Sequence, residues 1–395
     1  MIPGRTIPPA AAPVPIRDLL RGIAGLFKGG YLDVLENEIR EYFGSRFVFL
    51  VSSGKAALFL VLKGLSLLGS RKKVVIPAYT CYSVPSAVVK AGLDIVLCDV
   101  DPDTLDFDYG QLEAIADEKT LCVVPTHLFG ISSDIDRVRR ICGKKGIYLV
   151  EDAAQAMGVS HGERKLGSLG DVGFFSLGRG KNISCGSGGI ILTSSWEIAE
   201  SIRKFHGKLH KEPAGESARN LAEAIFMKMF LNPSLYWFPA GLPFLGIGET
   251  KFFPDFPVYR FTESKAGMLS SWRERLEEYS RCRITNGRHY TEAFGLRGEK
   301  AMYSLDHPYL RFPLYAGGAQ GKIRACAHGK AFGASPMYPA SINRIEQIRD
   351  QVAGSSCPGA ERIASTLVAL PTHVYLTADD RSRICEEMKS SLVYG

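Results

Sequence analysis

No CxxC pair occurs in this 395-residue sequence, although it holds nine cysteines, at 81, 98, 122, 142, 185, 282, 326, 357 and 385. An odd, scattered set with several members inside apolar runs excludes a disulfide framework and fits reduced thiols in a cytoplasmic protein. No GxxxxGK[ST] loop is present, and no GxGxxG follows a strand, so a Walker site is excluded and a dinucleotide site is disfavoured. His206 and His210 are spaced i,i+4 without an obvious third ligand, so no metal centre is expected. The opening MIPGRTIPPAAAPVP has no apolar core and is not a secretory signal. Asn232–Gly248 (NPSLYWFPAGLPFLGIG) carries no charge, but its three prolines and three glycines exclude a spanning helix of about 20 residues. That run reads as a packed loop or dimer contact, or as part of a weak membrane-surface contact through 218–248. Internal repeats and low-complexity tracts are absent.

Forty-eight basic residues against 41 acidic ones leave a net charge of +7. The excess is dispersed, with no aromatic-interleaved stripe, so nucleic acid is not an expected partner. Anionic small molecules or an anionic membrane surface suit the surplus better, and a plain solvated surface suits it best of all. An apolar content of 46% supports a sizeable core, and the length predicts one large and one smaller domain, divided here at 250/251.

β-branched apolar runs appear at 47–51, 74–77, 95–100, 121–125, 147–150, 172–176 and 189–193. Helical patterns lie between several of them, at 55–67, 84–90, 109–116, 133–144 and 197–205. Two further helices precede the series, at 16–27 and 32–43. This alternation predicts an α/β fold with a mainly parallel seven-stranded sheet sandwiched by helices. Ligands of such sheets bind outside the carboxyl ends of the strands, where Asp152, Ser52–Lys55, Pro77–Tyr82 and Thr126–Gly130 all fall. After residue 207 the alternation stops. Helices are predicted at 218–231, 262–281, 341–352, 359–366 and 378–390, with a strand at 310–314 and a loop at 370–375. Residues 286–294 extend the 262–281 helix past a break. This is α+β content for a small C-terminal domain.

The stretch EDAAQAMGVSHGERKLGSLGDVGFFSLGRGKNISCGSGG (151–189) carries the chemistry. Asp152 follows a strand, and Lys181 lies in a glycine-rich loop that leads into the next one. A pyridoxal phosphate (PLP) enzyme needs a carboxylate to keep the pyridine nitrogen protonated and a lysine to carry the cofactor as a Schiff base. Each residue has a plainer alternative. The acidic pair would cap a helix beginning at Ala153, and Lys181 would be an exposed loop lysine. SSGKAAL (52–58) joins a strand to a helix whose exposed amides suit a phosphate. His127, Tyr338 and His373 sit in loops as pocket-lining or structural residues.

Read together, SSGKAAL, the 74–108 segment, HLFGISSDIDRVRRIC, YLVEDAAQAMG and GDVGFFSLGRGKNISCGSGG resemble the DegT/DnrJ/EryC1/StrS family. The match is dense over 33–207 and resumes at YRFTESKAGM. That resemblance implies fold type I, a homodimer, and a PLP-dependent aminotransferase. Such an enzyme passes an amino group from glutamate or glutamine to a keto-sugar, mostly nucleotide-linked, for polysaccharide, glycolipid or antibiotic sugar synthesis. A PLP-dependent sugar dehydratase or a non-catalytic PLP-binding regulator are the alternatives; related dehydratases carry histidine in place of the lysine.

Carried over by position, Lys181 matches the Schiff-base lysine and Asp152 the partner of the pyridine nitrogen. Gln155 matches the residue beside the ring hydroxyl, and Ser176 a phosphate ligand. Gly54 and Lys55 match a Gly-Thr pair whose amides hold the phosphate. Four positions depart from the pattern. Lys55 replaces threonine, and Cys81 replaces the stacking aromatic, whose role would pass to Tyr82 or be lost. Ser187 replaces a glutamate, and Val258 replaces a partner-subunit asparagine. Residues 210–255 resemble an enlarged insertion.

Overall fold

The computed structural model describes residues 5–242, 250–298 and 300–392. The seven β-branched runs become the strands of one sheet. They are β1 (Phe47–Val51), β2 (Lys73–Pro77), β3 (Asp94–Cys98), β4 (Thr120–Val123), β5 (Tyr148–Asp152), β6 (Val172–Ser176) and β7 (Gly189–Thr193). Their spatial order is β1-β7-β6-β5-β4-β2-β3. Only β7 runs against its neighbours; the other pairings are parallel.

Successive side chains of a strand point to opposite faces, and the two faces here feed separate cores. Val74, Ile76, Val150 and Phe174 join one apolar cluster, whereas Val75, Leu149 and Phe175 join the other. On the first face the helix Gly54–Leu65 packs against the helices Ser83–Ala91 and Trp196–His206. On the second, the helix Ile135–Lys145 covers β4 and β5. Because both faces are buried, the strands read as apolar runs with no polar alternation.

β3 stops two residues before its predicted end. The backbone N–H of Asp99 is taken by the Gln111 side chain, and the Asp99 carboxylate accepts the amides of Gly359 and Ala360 at 2.9 and 2.8 Å. The chain is thereby drawn out of the sheet and towards the C-terminal half.

Two predicted helices differ from those found. The 262–281 helix is split early, into Glu263–Gly267 and the long helix Trp272–Ala293, with no break after residue 281. Thr285, Asn286 and Gly287 do not interrupt the long helix. Asn286 instead donates to the carbonyls of Thr372 and His373 at 2.8 and 3.3 Å, and Gly287 lies against the Tyr309 ring. The predicted 341–352 helix is replaced by two 3₁₀ turns, Ile342–Arg344 and Glu346–Ile348. The Ile342 amide donates to Ala78 (2.8 Å), which commits this backbone to the loop after β2.

In the C-terminal part, β8 (Phe312–Tyr315) pairs antiparallel with β9 (Leu367–Leu370). Residues 259–260 return to the large sheet, where Val51 bridges Arg260. The helix Ala214–Phe230 leads into the uncharged segment, of which Trp237–Ala240 is helical. Leu221 and Ala224 are buried, whereas Met229, Leu235 and Phe238 are exposed. Residues 243–248 of that segment lie outside the described residues. No helix among the described residues is long and apolar enough to cross a membrane.

Candidate active site

Strand alternation separates the two acids at the end of β5. Glu151 points into the second face, where its carboxylate accepts the amides of Gly167, Leu169 and Gly170. His127 Nε2 lies 3.1 Å from the same group, and His127 Nδ1 accepts the Ser133 amide at 3.1 Å. Burial would raise the Glu151 pKa, but the His127 contact and these amides hold it below the usual carboxylate range. His127 is therefore fully buried, with both ring nitrogens engaged, and it orders the loop behind the site. No helix begins at Ala153. Asp152 does not act as a helix cap, although its Oδ1 accepts the Ala154 amide at 3.0 Å.

Asp152 is buried on the opposite face. Burial pushes its pKa up, opposed first by the charge of Lys181 and then by the Ala154 amide, His127 and the Thr126 hydroxyl. Thr126 Oγ1 in turn meets Thr80 Oγ1 at 3.3 Å. Lys181 shows the reciprocal behaviour. Its surroundings of protein atoms push the ammonium below the usual lysine range, with Cys81 and Asp152 opposing and Arg311 adding to the effect. The side chain itself is half-buried, and its neighbours Gly180 and Ser184 border a cavity. A lysine of lowered pKa is the form that can act as nucleophile or base.

The lysine loop is held from behind by the long helix 272–293. Arg283 donates to the Asn182 carbonyl at 2.9 Å, and Arg275 to that of Ser184 at 3.1 Å. Arg275 is paired with buried Asp18 at 3.2 Å. These contacts fix the backbone of a segment that has no regular structure of its own.

Gly54, the first residue of its helix, and Ser176, at the end of β6, are brought into contact. A Cβ on Gly54 would fall 2.8 Å from Ser176 Cβ, so no side chain fits there. Ser53 caps the helix Gly54–Leu65 by accepting the Ala56 amide at 3.1 Å, which leaves the Gly54 and Lys55 amides at its open end. Ser176 Oγ accepts the Gly178 amide at 3.3 Å. The Lys55 side chain turns elsewhere: its ammonium lies over the rings of Phe253 and Phe256, at 5.6 and 5.0 Å from their centroids.

Gln155 is oriented from both ends. Its oxygen accepts the Phe129 amide at 3.1 Å and its nitrogen donates to the Tyr338 hydroxyl at 2.9 Å. Tyr338 packs against Tyr79, whose buried hydroxyl has no hydrogen-bond partner. Cys81 enters the same electrostatic neighbourhood as Lys181 and Tyr338. Tyr82, the other ring considered for stacking, is buried and donates to the Ala340 carbonyl at 3.1 Å. His373 is buried away from this group, between the Pro8 carbonyl (2.8 Å) and the Tyr375 amide (3.3 Å). Among the described residues no cluster could hold a metal ion.

A cavity of about 410 Å³ opens beside the lysine loop. Gly180, Ser184, Arg179, Tyr236 and Arg311 line it, together with the extended segment Pro9–Val14. Arg311 was not singled out from the sequence. It lies in LRFPLY without any motif, and it reaches the site only because β8 delivers it there.

A family model described as the DegT/DnrJ/EryC1/StrS aminotransferase family matches residues 16–389. The spore coat polysaccharide biosynthesis protein SpsC of Bacillus subtilis (strain 168) is 34% identical over 184 residues, 46% of this chain and 47% of that protein. GDP-perosamine synthase of Caulobacter vibrioides is 31% identical over 180 residues, 46% of this chain and 48% of that protein. The chain thus spans about half the length of the curated relatives it matches. The fold is shared with the sugar aminotransferase CalS13 of Micromonospora echinospora. Its TM-score is 0.77 at 23% identity, over 97% of this chain and 99% of that one. With a match that runs from the first helix to the last, this chain belongs to the DegT/DnrJ/EryC1/StrS aminotransferase family.

Proposed function

We propose that the chain is a PLP-dependent aminotransferase that moves an amino group from an amino acid, glutamate in the first instance, to a keto-sugar. The sugar is carried on a nucleotide or a comparable anionic handle, and the working unit is a homodimer. The observation that carries this reading is the opposition of buried Asp152 and the depressed Lys181 across one strand end. The side-chain-free contact of Gly54 with Ser176, beside open helix amides, fits the cofactor's phosphate.

When bound, pyridoxal phosphate supplies an electron sink for the bond broken at the donor's Cα. Lys181 is the covalent anchor, and its Nζ removes and returns the proton at that carbon. Asp152 would hold a proton on the pyridine nitrogen. Gln155, fixed by Phe129 and Tyr338, would meet the ring hydroxyl. Gly54, the Lys55 amide and Ser176 would hold the phosphate, and Cys81 would take the place of a stacking aromatic. Residues 1–250 form the cofactor-holding domain in this reading, and 251–395 a smaller one that contributes Arg311 and Tyr338.

The purified protein should show the visible absorption band of lysine-bound pyridoxal phosphate, and Lys181→Ala should lack it. Glutamate or glutamine should bleach the wild-type band. A wild type without the band, identical to Lys181→Ala, sinks the cofactor assignment. A band that neither donor alters sinks the aminotransferase assignment.

A further inference from the structure

Lys55 is a cation at the wrong end of its helix. It is the second residue of Gly54–Leu65, which has no acid in its first turn. The start of a helix carries partial positive charge, so an ammonium there is disfavoured. The Lys55 side chain is half-buried, and burial pushes its pKa below the usual lysine range. The Cys81 thiol favours its charge, but no carboxylate among the described residues does. What holds the ammonium is the pair of rings of Phe253 and Phe256, at 5.6 and 5.0 Å from their centroids. The Lys90 ammonium lies against the Phe256 ring as well, at 4.9 Å. Two cations that share one ring repel each other, and a ring is a weaker partner than a charged acceptor. Lys55 is short of an anion.

We propose that the Lys55 ammonium exchanges these rings for the phosphate of the cofactor and becomes its counter-ion. The proposal rests on the cofactor reading above, which uses only the amide of this residue, and it adds the side chain. Position argues for it first. The Gly54 and Lys55 amides stand at the open end of the helix, beside the contact with Ser176 that admits no side chain at residue 54. The ammonium is tethered to that same residue by a flexible four-carbon stem, so rotations within the stem bring it back with no backbone movement. Charge argues for it next. A phosphate ester carries close to two negative charges at neutral pH, whereas helix amides offer partial charges alone. Ser53 and Ser176 are neutral. Val258 packs against the apolar core of its own chain and has no polar side-chain atom. Lys55 is the full positive charge that the helix start itself supplies, and an ammonium is well suited to a phosphate.

Two aldehydes separate the phosphate from the rest of the cofactor: pyridoxal phosphate and pyridoxal, which lacks the phosphate. Each is titrated into the full chain freed of cofactor and followed by the visible band of its lysine adduct, so no turnover is needed. Lys55→Met is expected to bind pyridoxal phosphate about 50-fold more weakly than wild type, and Lys55→Arg within about threefold of it. Pyridoxal affinity should change by less than about twofold in either variant, since that ligand has no charge for residue 55 to meet. The phosphorus resonance of bound pyridoxal phosphate should keep its dianion position from about pH 8 to about pH 5.5 in wild type and titrate in Lys55→Met. Equal weakening of both aldehydes would make Lys55 a support of Lys181 and overturn the proposal. Unchanged affinity for pyridoxal phosphate would leave the ammonium on its rings and overturn it as well. If wild type forms an adduct with neither aldehyde, the cofactor reading fails. Calorimetric titration with inorganic phosphate then tests Lys55 alone: binding lost in Lys55→Met upholds its role as an anion's partner, and equal or absent binding in both proteins overturns it. Should Lys55→Met not fold, Lys55→Gln replaces it in every titration.

Discussion

Glu151 and Asp152 are adjacent carboxylates on one strand, equally deprived of water, yet they are opposites in every other respect. Glu151 collects three loop amides and a histidine, and its pKa falls. Asp152 receives one nearby backbone amide and faces Lys181, and its pKa rises. A one-residue step in a strand reverses the face, so two identical functional groups end in different environments. The first is a structural clamp on the 167–170 loop. The second keeps unspent hydrogen-bonding capacity, as a group that serves a ligand must.

Substitution is the sharpest way to test that contrast. Asp152→Asn should lower kcat/KM by at least about 100-fold, while its urea midpoint stays within about 1 kcal/mol of wild type or improves. Glu151→Gln should do the reverse. It loses about 2–4 kcal/mol of stability, because three amides and His127 lose a charged acceptor, yet keeps most activity per folded molecule. Equal stability losses in both variants would erase the distinction.

Acidification provides a second test. Glu151 has a depressed pKa, so its stabilisation is present above the ordinary value of 4.5 and vanishes as pH falls through its lower folded value. Asp152 has a raised pKa. Its ionised form costs stability at neutral pH, and that cost is relieved as pH falls through the raised value. The stability gap between wild type and Glu151→Gln should therefore close on acidification. Wild type should gain on Asp152→Asn over the first part of the same titration. Denaturant midpoints followed from about pH 7 to about pH 2 check the two signs, the Asp152 effect in the upper part of the range and the Glu151 effect below about pH 4.5.

The smallest expected effect is that of Tyr338→Phe, which removes only the hydrogen bond to Gln155. It should weaken cofactor retention by roughly fivefold, about 1 kcal/mol, without shifting the unfolding midpoint measurably. A large stability loss would place Tyr338 with Glu151 among the structural groups.

The sheet was legible because its strands are short, β-branched and buried on both faces, and all seven runs became strands. The contact of Gly54 with Ser176 and the approach of Asp152 to Lys181 follow from strand ends meeting at one edge, a topological rule. What escaped was whatever depends on distant backbone acceptors. Asn286 and Gly287 look like helix breakers until the carbonyls of Thr372 and His373 and the ring of Tyr309 are there to receive them. Residues 341–352 have helical periodicity but donate instead to Ala78. Arg311 bears no local mark at all, since it borders the cavity only because β8 delivers it there. A sequence does not display that.

The extended segment at residues 5–14 has a consequence for how the molecule is made. Arg5 is bound by Asp380, the Ile7 amide by the Ala331 carbonyl, and the Pro8 carbonyl by His373. This segment must therefore wait until residues 331, 373 and 380 have been made before it can dock. Until then the cavity beside the lysine loop lacks the side formed by Pro9–Val14, and a nascent chain with a finished sheet still has an unfinished cavity.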